Sequence, residues 1–481
     1  MPSRTIYAPI AALSVIALML IVRMIPHFGV YFDEALYAPA LYQPDSAVVH
    51  VRIFGVIWPV MVMDYIGALK LYLWKAMFAL MDPSVWTIRI PMMLIAMISA
   101  GVWGHTLHAL GARRAAGVCI GLLLTSATFL TCTTFDWGPV ALQLLLGACA
   151  VNLLSRGRYP FLAGLLCGLA AWDKLTFIFA YGPLLAMLAL RRPRWQMAPG
   201  LVVGITPLLY GLTQTSPAQS LVLSVSPELL WGRLAIMSST LTGSAFLGFM
   251  GVGRGVPDFP PLILIILTFA FIIKGQWRNT RLAIGICLIL SWCAMALFKN
   301  IGMSVHHTVL LLPMVFVLIS LMVEDSGARP WEAALLPLVA VNLYSLYALG
   351  RASPRPLWSP VLNELPARIS VREPRVILCE DWGIQNTIWL LSKGRMRPKT
   401  IVVQDRMDAM DRESATAALA TPGALFLSFT DGNRLFPKGH EAIHSLATES
   451  GYEKASIERV KSLIEMDTYF SRPFRATTVR E

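Results

Sequence analysis

The chain has 481 residues, of which 56% are hydrophobic and 14% charged, and its formal net charge is +12. A soluble domain carries roughly a quarter charged residues, so this composition excludes an ordinary soluble globule and predicts a polytopic membrane protein. The positive balance does not imply nucleic acid: Arg and Lys fall in short loops between apolar stretches, where they report topology, and no basic face carries interleaved aromatics.

The first apolar stretch, 6–24, has no small-residue cleavage signal and runs into Arg23 and Pro26, which predicts a retained anchor. Past it stands Tyr31-Phe32-Asp33-Glu34-Ala35-Leu36-Tyr37. An acidic pair at the mouth of a membrane helix carries a desolvation penalty unless it faces water or a partner, so it asks for a functional reason. Segment 56–85 is apolar but broken by Pro59, Asp64, Gly67, Lys70 and Lys75. With Trp58, Tyr65, Tyr72 and Trp74 at headgroup level it is expected to form interfacial helices on the outer surface.

A bilayer core takes about 20 apolar residues per helix. Further spans are expected at 86–109, 116–133, 139–155, 160–173, 175–190, 197–214, 260–273, 282–298, 308–323 and 331–349, which with the first makes eleven. Arg113-Arg114, Arg156 with Arg158, Arg191-Arg192 with Arg194, and Lys274 with Arg278 and Arg281 then share one side with Arg4, and that side is cytoplasmic by the positive-inside rule. The opposite loops collect Asp33-Glu34, Asp136, Asp173-Lys174, Lys299 and His306-His307. Segment 215–259, with Gly243, Gly248, Gly251, Gly253 and Gly255, is expected to be a long outer loop, either a flap over a site or a connector.

From residue 350 the chain becomes more charged. Arg375–Glu380, Thr400–Val403 and Ala424–Ser428 read as strands, with helices over 384–392 and 407–419, which predicts a small α/β domain. The expected division is 1–349, a membrane domain with its first outer loop and interfacial helices at 25–85, and 350–481, an extracytoplasmic α/β domain. The seven cysteines show neither metal-ligand spacing nor a disulfide framework and are expected to be packing residues.

The outer face mixes carboxylates (Asp33, Glu34, Asp136, Asp173), cations (Lys70, Arg89, Lys174, Lys299) and imidazoles (His306, His307). Such a mixture suits a substrate with an anionic head and a lipid tail: cations hold a phosphate, and a carboxylate deprotonates a nucleophile. Each residue also has a plainer reading. Asp33 would cap an interfacial helix and Asp136 the helix after Pro139; Lys70 would snorkel, Arg89 would pair with Asp82, and Lys174 with Asp173. Glu380-Asp381-Trp382-Gly383 follows a strand and reads as a turn or an acceptor contact.

The Tyr31–Tyr37 segment resembles the first-loop acidic motif of the GT-C glycosyltransferases, the superfamily that includes protein O-mannosyltransferases and the lipid A aminoarabinose transferase. Tyr65-Ile66-Gly67-Ala68-Leu69-Lys70-Leu71-Tyr72, Trp86-Thr87-Ile88-Arg89-Ile90-Pro91, Asp136-Trp137-Gly138-Pro139, Trp172-Asp173-Lys174 and His306-His307 resemble further segments of a bacterial, family-39-like subgroup, in the same order, over residues 1–325. The resemblance implies a polytopic α-helical GT-C fold with a C-terminal extracytoplasmic α/β domain, in a bacterial inner membrane with the site on the periplasmic face. It implies an inverting glycosyltransferase, hexosyl or pentosyl, that takes its sugar from a polyprenyl-phosphate donor and passes it to a lipid, glycan or protein acceptor.

In that reading Asp33 is the general base and Glu34 supports it or binds the acceptor. Asp136, Lys70, Arg89, Asp173, Lys174, Lys299, His306 and His307 bind substrate. No ligand spacing calls for a metal, and a divalent ion is the one cofactor left open. The competing readings are a lipid-linked substrate flippase or transporter, which would place ionisable groups near the midplane and repeat its halves, and a polysaccharide polymerase or ligase with a diphosphate-linked donor.

Overall fold

The computed structural model describes residues 7–191, 195–215, 223, 226–250, 276–298, 304–326, 335–381, 383–401, 409–434 and 437–471. Its contacts divide the chain into two compact units, one of residues 1–27 and 44–353, the other of residues 28–43 and 354–481.

The first unit is mainly helical. Helices Tyr7–Met24, Val85–Ala109, Ala141–Arg156, Pro160–Asp173, Thr176–Arg191, Met197–Gln214, Arg278–Ala296, Leu312–Ser326 and Leu336–Arg351 lie where the apolar stretches predict spans. The expected span 260–273 falls outside the described residues. Among the described residues, Val85–Ala109, Arg278–Ala296 and Val305–Asp325 are long and apolar enough to cross a bilayer on their own. The expected span 116–133 is two helices, Arg113–Thr125 and Ala127–Thr134, bent by 62°. The bend is stabilised locally: Ser126 Oγ accepts from Phe129 N, and the Ala127 N–H freed by the break donates to Asn342 Oδ1 at 2.8 Å.

Two sequence expectations are corrected. Segment 49–67 is not helical. It is a three-stranded antiparallel meander of β1 (Val49–Ile53), β2 (Val56–Met63) and β3 (Ile66–Gly67), and helix appears only at Leu69–Phe78. The β1–β2 turn places Phe54 and Gly55 in left-handed conformations, the hairpin geometry that matches strand twist, and Pro59 pairs with His50 next to a bulge, where a missing N–H is tolerated. Segment 215–259 is not a featureless loop either, because Pro227–Thr242 and Ser244–Met250 are helices. Ser226 Oγ caps the first by accepting from Leu229 N.

Helices Pro160–Asp173 and Met197–Gln214 pack through glycines spaced four apart, Gly164 and Gly168 on one, Gly200 and Gly204 on the other. A Cβ on Gly164 would overlap the Met197 carbonyl, and one on Gly168 would lie 2.6 Å from the Leu201 carbonyl oxygen. Backbones this close need small residues at the crossing, which in lipid replaces the hydrophobic drive that helices have in water.

The second unit contains a five-stranded sheet in the order β5-β4-β6-β8-β7: β4 (Ile377–Cys379), β5 (Lys399–Thr400), β6 (Leu425–Phe429), β7 (Tyr452–Val460) and β8 (Ile464–Ser471). β4 runs parallel to β5 and β6, while β8 is antiparallel to β6 and β7. One face packs Leu362, Leu365 and Ile369 of helix Val361–Ser370 and Ile388 of helix Gln385–Leu391 against Ile377, Leu427 and Met466. The other packs Ala415, Ala418 and Leu419 of helix Ala409–Leu419 and Ile443 and Leu446 of helix Pro437–Glu449 against Leu378 and Phe426. The alternation of strand residues between these two cores is what a sheet covered on both faces requires.

Gly164→Val should lower the thermal midpoint and the yield of folded protein sharply, read by heating in nanodiscs. Gly232→Ala, in a helix where a Cβ meets nothing within 4 Å, should leave both unchanged or slightly improved. Equal behaviour of the two variants would contradict the packing account.

Candidate functional site

In the first unit the charged residues singled out from the sequence meet around the loop between helices Ala127–Thr134 and Ala141–Arg156. Lys70, in the first turn of helix Leu69–Phe78, forms an ion pair with Asp136, and their side chains are 1% and 3% exposed. The Lys70 ammonium also lies 4.6 Å from the centre of the Trp74 ring. Asp136 stands at a left-handed φ of 39°, and its other oxygen accepts from Val140 N and Ala141 N at 3.1 Å each. One carboxylate thus holds the start of a helix and neutralises a buried cation.

Lys174 follows the end of helix Pro160–Asp173 and donates to the Gly138 carbonyl at 2.8 Å. Its backbone is fixed from two sides: it forms a bridge with Ile66 of β3, and its carbonyl accepts from Gln143 Nε2 at 2.6 Å. Asp173 is fully buried and interacts electrostatically with Asp136, Lys70 and Lys174. Neither of its oxygens has a hydrogen-bond partner among the described residues. The Lys70 main-chain N–H acts on the carboxylate without reaching that geometry.

His306 and His307 are the adjacent imidazoles singled out from the sequence. Their rings are 4.1 Å apart, centre to centre, and His306 packs 4.8 Å from Trp137 and against Gly138, where a Cβ would overlap the imidazole. Gly138, at φ 67°, is thus required both by its backbone and by its neighbour. His306 Nδ1 is buried without a partner among the described residues, and Lys174 acts electrostatically on both rings.

Arg89, fully buried, donates to the Ile25 carbonyl at 2.5 Å and stacks over Phe135 at 4.4 Å. Lys299 lies outside the described residues. The sequence reading missed Arg233, because it assigned 215–259 to a loop. Arg233 sits on helix Pro227–Thr242, 2% exposed, and donates through one terminal nitrogen to the Phe298 carbonyl at 2.6 Å. Its Nε and second terminal nitrogen have no partner among the described residues. A lone Arg in an apolar stretch was the available signal.

Asp33 and Glu34 belong to the second unit. Glu34 is 2% exposed and accepts from Tyr31 N at 2.8 Å, which closes the turn that carries the pair. Asp33 is half-buried, at the more open side of that turn. Burial and then the nearby Asp33 carboxylate hold the Tyr31 phenol well above its ordinary range, so it stays protonated. In the tail, Asp381 accepts from Phe429 N at 2.8 Å and Gly383 adopts φ 97°, the turn expected there; Glu380 pairs with His440, and Trp382 lies outside the described residues. Among the described residues no group of three or more His, Cys, Asp or Glu is arranged to hold a metal ion.

Lys70→Met should destabilise the protein by about 3–5 kcal/mol, because it leaves the Asp136 carboxylate buried and unpaired, and Lys70→Met with Asp136→Asn should recover part of that loss. Thermal unfolding of the three proteins checks this; a double variant no more stable than the single would contradict the pairing.

No protein-family description and no curated protein matches the chain. Solved structures do. ArnT from Cupriavidus metallidurans bound to undecaprenyl phosphate aligns with 13% identity over 96% of this chain and 98% of its own, at a TM-score of 0.61. ArnT from the same organism in the apo state aligns with 12% identity over 95% and 98%, at a TM-score of 0.60. The chain therefore has, over nearly its whole length, the fold of these ArnT structures, which is the fold that the sequence resemblance predicts.

Proposed function

We propose that this protein is an integral-membrane inverting glycosyltransferase that moves a sugar from a polyprenyl-phosphate donor to a periplasmic acceptor. The observation that carries the reading is the group of buried cations and carboxylates around Asp136, in a chain that shares its fold with a protein solved with undecaprenyl phosphate. Buried charge in an apolar bundle is expensive, and such groups mark substrate paths by default.

In the proposed reaction Asp33 takes the proton of the acceptor hydroxyl and the oxygen attacks the anomeric carbon. The bond from that carbon to the phosphate oxygen breaks, and polyprenyl phosphate leaves with one more negative charge than it carried as the donor. A single displacement inverts the anomeric centre and needs one base. Lys70, Lys174 and Arg233 are the proposed cations for the growing charge on the phosphate, an effect that is strongest where water is excluded. Asp136 and Asp173 hold Lys70 and Lys174 in place and meet sugar hydroxyls, His306 and His307 close the same region, and Glu34 fixes the turn that bears the base. The distribution of basic loops supports a site on the outer face of the inner membrane.

Radiolabelled polyprenyl-phosphate sugars incubated with the protein in nanodiscs and with envelope extracts should yield a labelled acceptor. Asp33→Asn should cut the rate about 100- to 10,000-fold without loss of folded protein, and Arg233→Lys should raise the donor KM more than it lowers kcat, because a point charge replaces a fork. No transfer from any donor, or equal rates for wild type and Asp33→Asn, would overturn the proposal.

A further inference from the structure

The acidic turn is built into the C-terminal unit, although more than 300 residues separate them in sequence. Gly29 N donates to the Trp358 carbonyl at 2.7 Å. Both main-chain groups of Val30 are claimed by side chains from the tail: its N–H by Asn363 Oδ1 at 3.0 Å and its carbonyl by Thr387 Oγ1 at 3.1 Å. The Tyr31 ring stacks on Trp358 at 4.2 Å with 7° between the planes, and Phe28 meets the same indole edge-on at 6.5 Å. Gly29 passes so close that a Cβ there would overlap the Ser359 carbonyl. Three consecutive residues, 29 to 31, are thus fixed by hydrogen bonds and a ring stack, and Asp33 comes two residues later, inside the turn that Glu34 closes onto Tyr31 N. Trp358, Thr387 and Val30 are buried at 0–1% exposure and Asn363 is partly buried, so water competes little for the bond between Thr387 and the Val30 carbonyl.

We infer that the C-terminal unit is the positioning element for the Asp33 turn, and that Trp358, Asn363 and Thr387 are positioning residues for the reaction. This rests on the reading of Asp33 as the base. A carboxylate on a turn of mainly local contacts would sample many positions, and a displacement of about 1 Å from a productive geometry costs roughly 100-fold in rate. The tail supplies the fixed frame that the turn lacks on its own. The physical consequence is a separation of effects: loosening the frame lowers kcat, because it moves the base, and leaves donor affinity alone, because the proposed phosphate cations belong to the other unit.

The test uses the full chain in nanodiscs with Asn363→Ala, Trp358→Ala and Trp358→Phe. Amide hydrogen exchange is measured over the peptide 28–37, with peptides from helix Val85–Ala109 as an internal control of folding. Transfer kinetics are measured on the same samples. Asn363→Ala and Trp358→Ala should speed exchange at 28–37 with the helix unchanged, and should lower kcat about 10-fold or more with donor KM within about 2-fold. Trp358→Phe, which keeps a ring under Tyr31, should stay near wild type in both.

Unchanged exchange at 28–37, or faster exchange with kcat intact, or a loss carried by donor KM, would overturn the inference. Asn363→Ala removes one hydrogen bond and keeps the test open if Trp358→Ala does not fold. If Asp33→Asn retains full transfer, the base assignment fails, while the exchange comparison still decides whether the tail holds the turn.

Discussion

The ion pair between Lys70 and Asp136 is the constraint around which the first unit is organised. Both side chains are almost wholly buried, and a charge in that setting is strongly unfavourable without its partner. To keep the pair, the chain must bring the first turn of helix Leu69–Phe78 to the loop before helix Ala141–Arg156. The same loop then supplies the Gly138 carbonyl to Lys174, whose backbone is pinned by β3 and by Gln143. One carboxylate therefore links a small sheet, two helix ends and a helix N-terminus. Hydrophobic association cannot provide this specificity within a bilayer, where lipid tails are as apolar as the helices.

What the sequence made legible follows from this chemistry. Long apolar stretches declare helices, so most of the helical frame is readable from residue types alone. Asp136, Lys70 and Lys174 are equally readable, since charge in an apolar chain demands a reason. The errors also have physical causes. Glycines at 243 and 248 suggested a loop, yet Gly243 ends helix Pro227–Thr242 in the left-handed conformation that favours glycine, and Gly248 lies within the next helix. Placing that segment outside helix hid Arg233. Trp58 and Tyr65 suggested an interfacial helix, but Phe54-Gly55 is a hairpin turn and the aromatics are spaced along and beside strands. The β7–β8 hairpin went unseen because Lys461 and Ser462 make its left-handed turn without a glycine.

The least legible feature is the membership of residues 28–43 in the C-terminal unit. Val30 offers no side-chain signal for Asn363 or Thr387, because the contacts are to its main chain. A loop between a first helix and a small sheet reads as an appendage of the membrane unit, whereas the hydrogen bonds of Gly29 and Val30 go to the tail. That places the acidic pair and the proposed phosphate cations in different compact units, each with its own core. In the proposed mechanism a division of this kind lets the base and the leaving-group cations be tuned separately, and the task inferred for the C-terminal unit is to position the base.

The central claim is that the buried cations exist to hold a phosphate on a lipid. It is tested most directly by thermal unfolding of the nanodisc-embedded protein with undecaprenyl phosphate or with undecaprenol, which differs only in lacking the phosphate. The account predicts stabilisation by the phosphate form alone, with the shift diminished in Lys174→Gln. Equal shifts from both lipids would show that the protein recognises the tail, and the assignment of the cation cluster would be wrong.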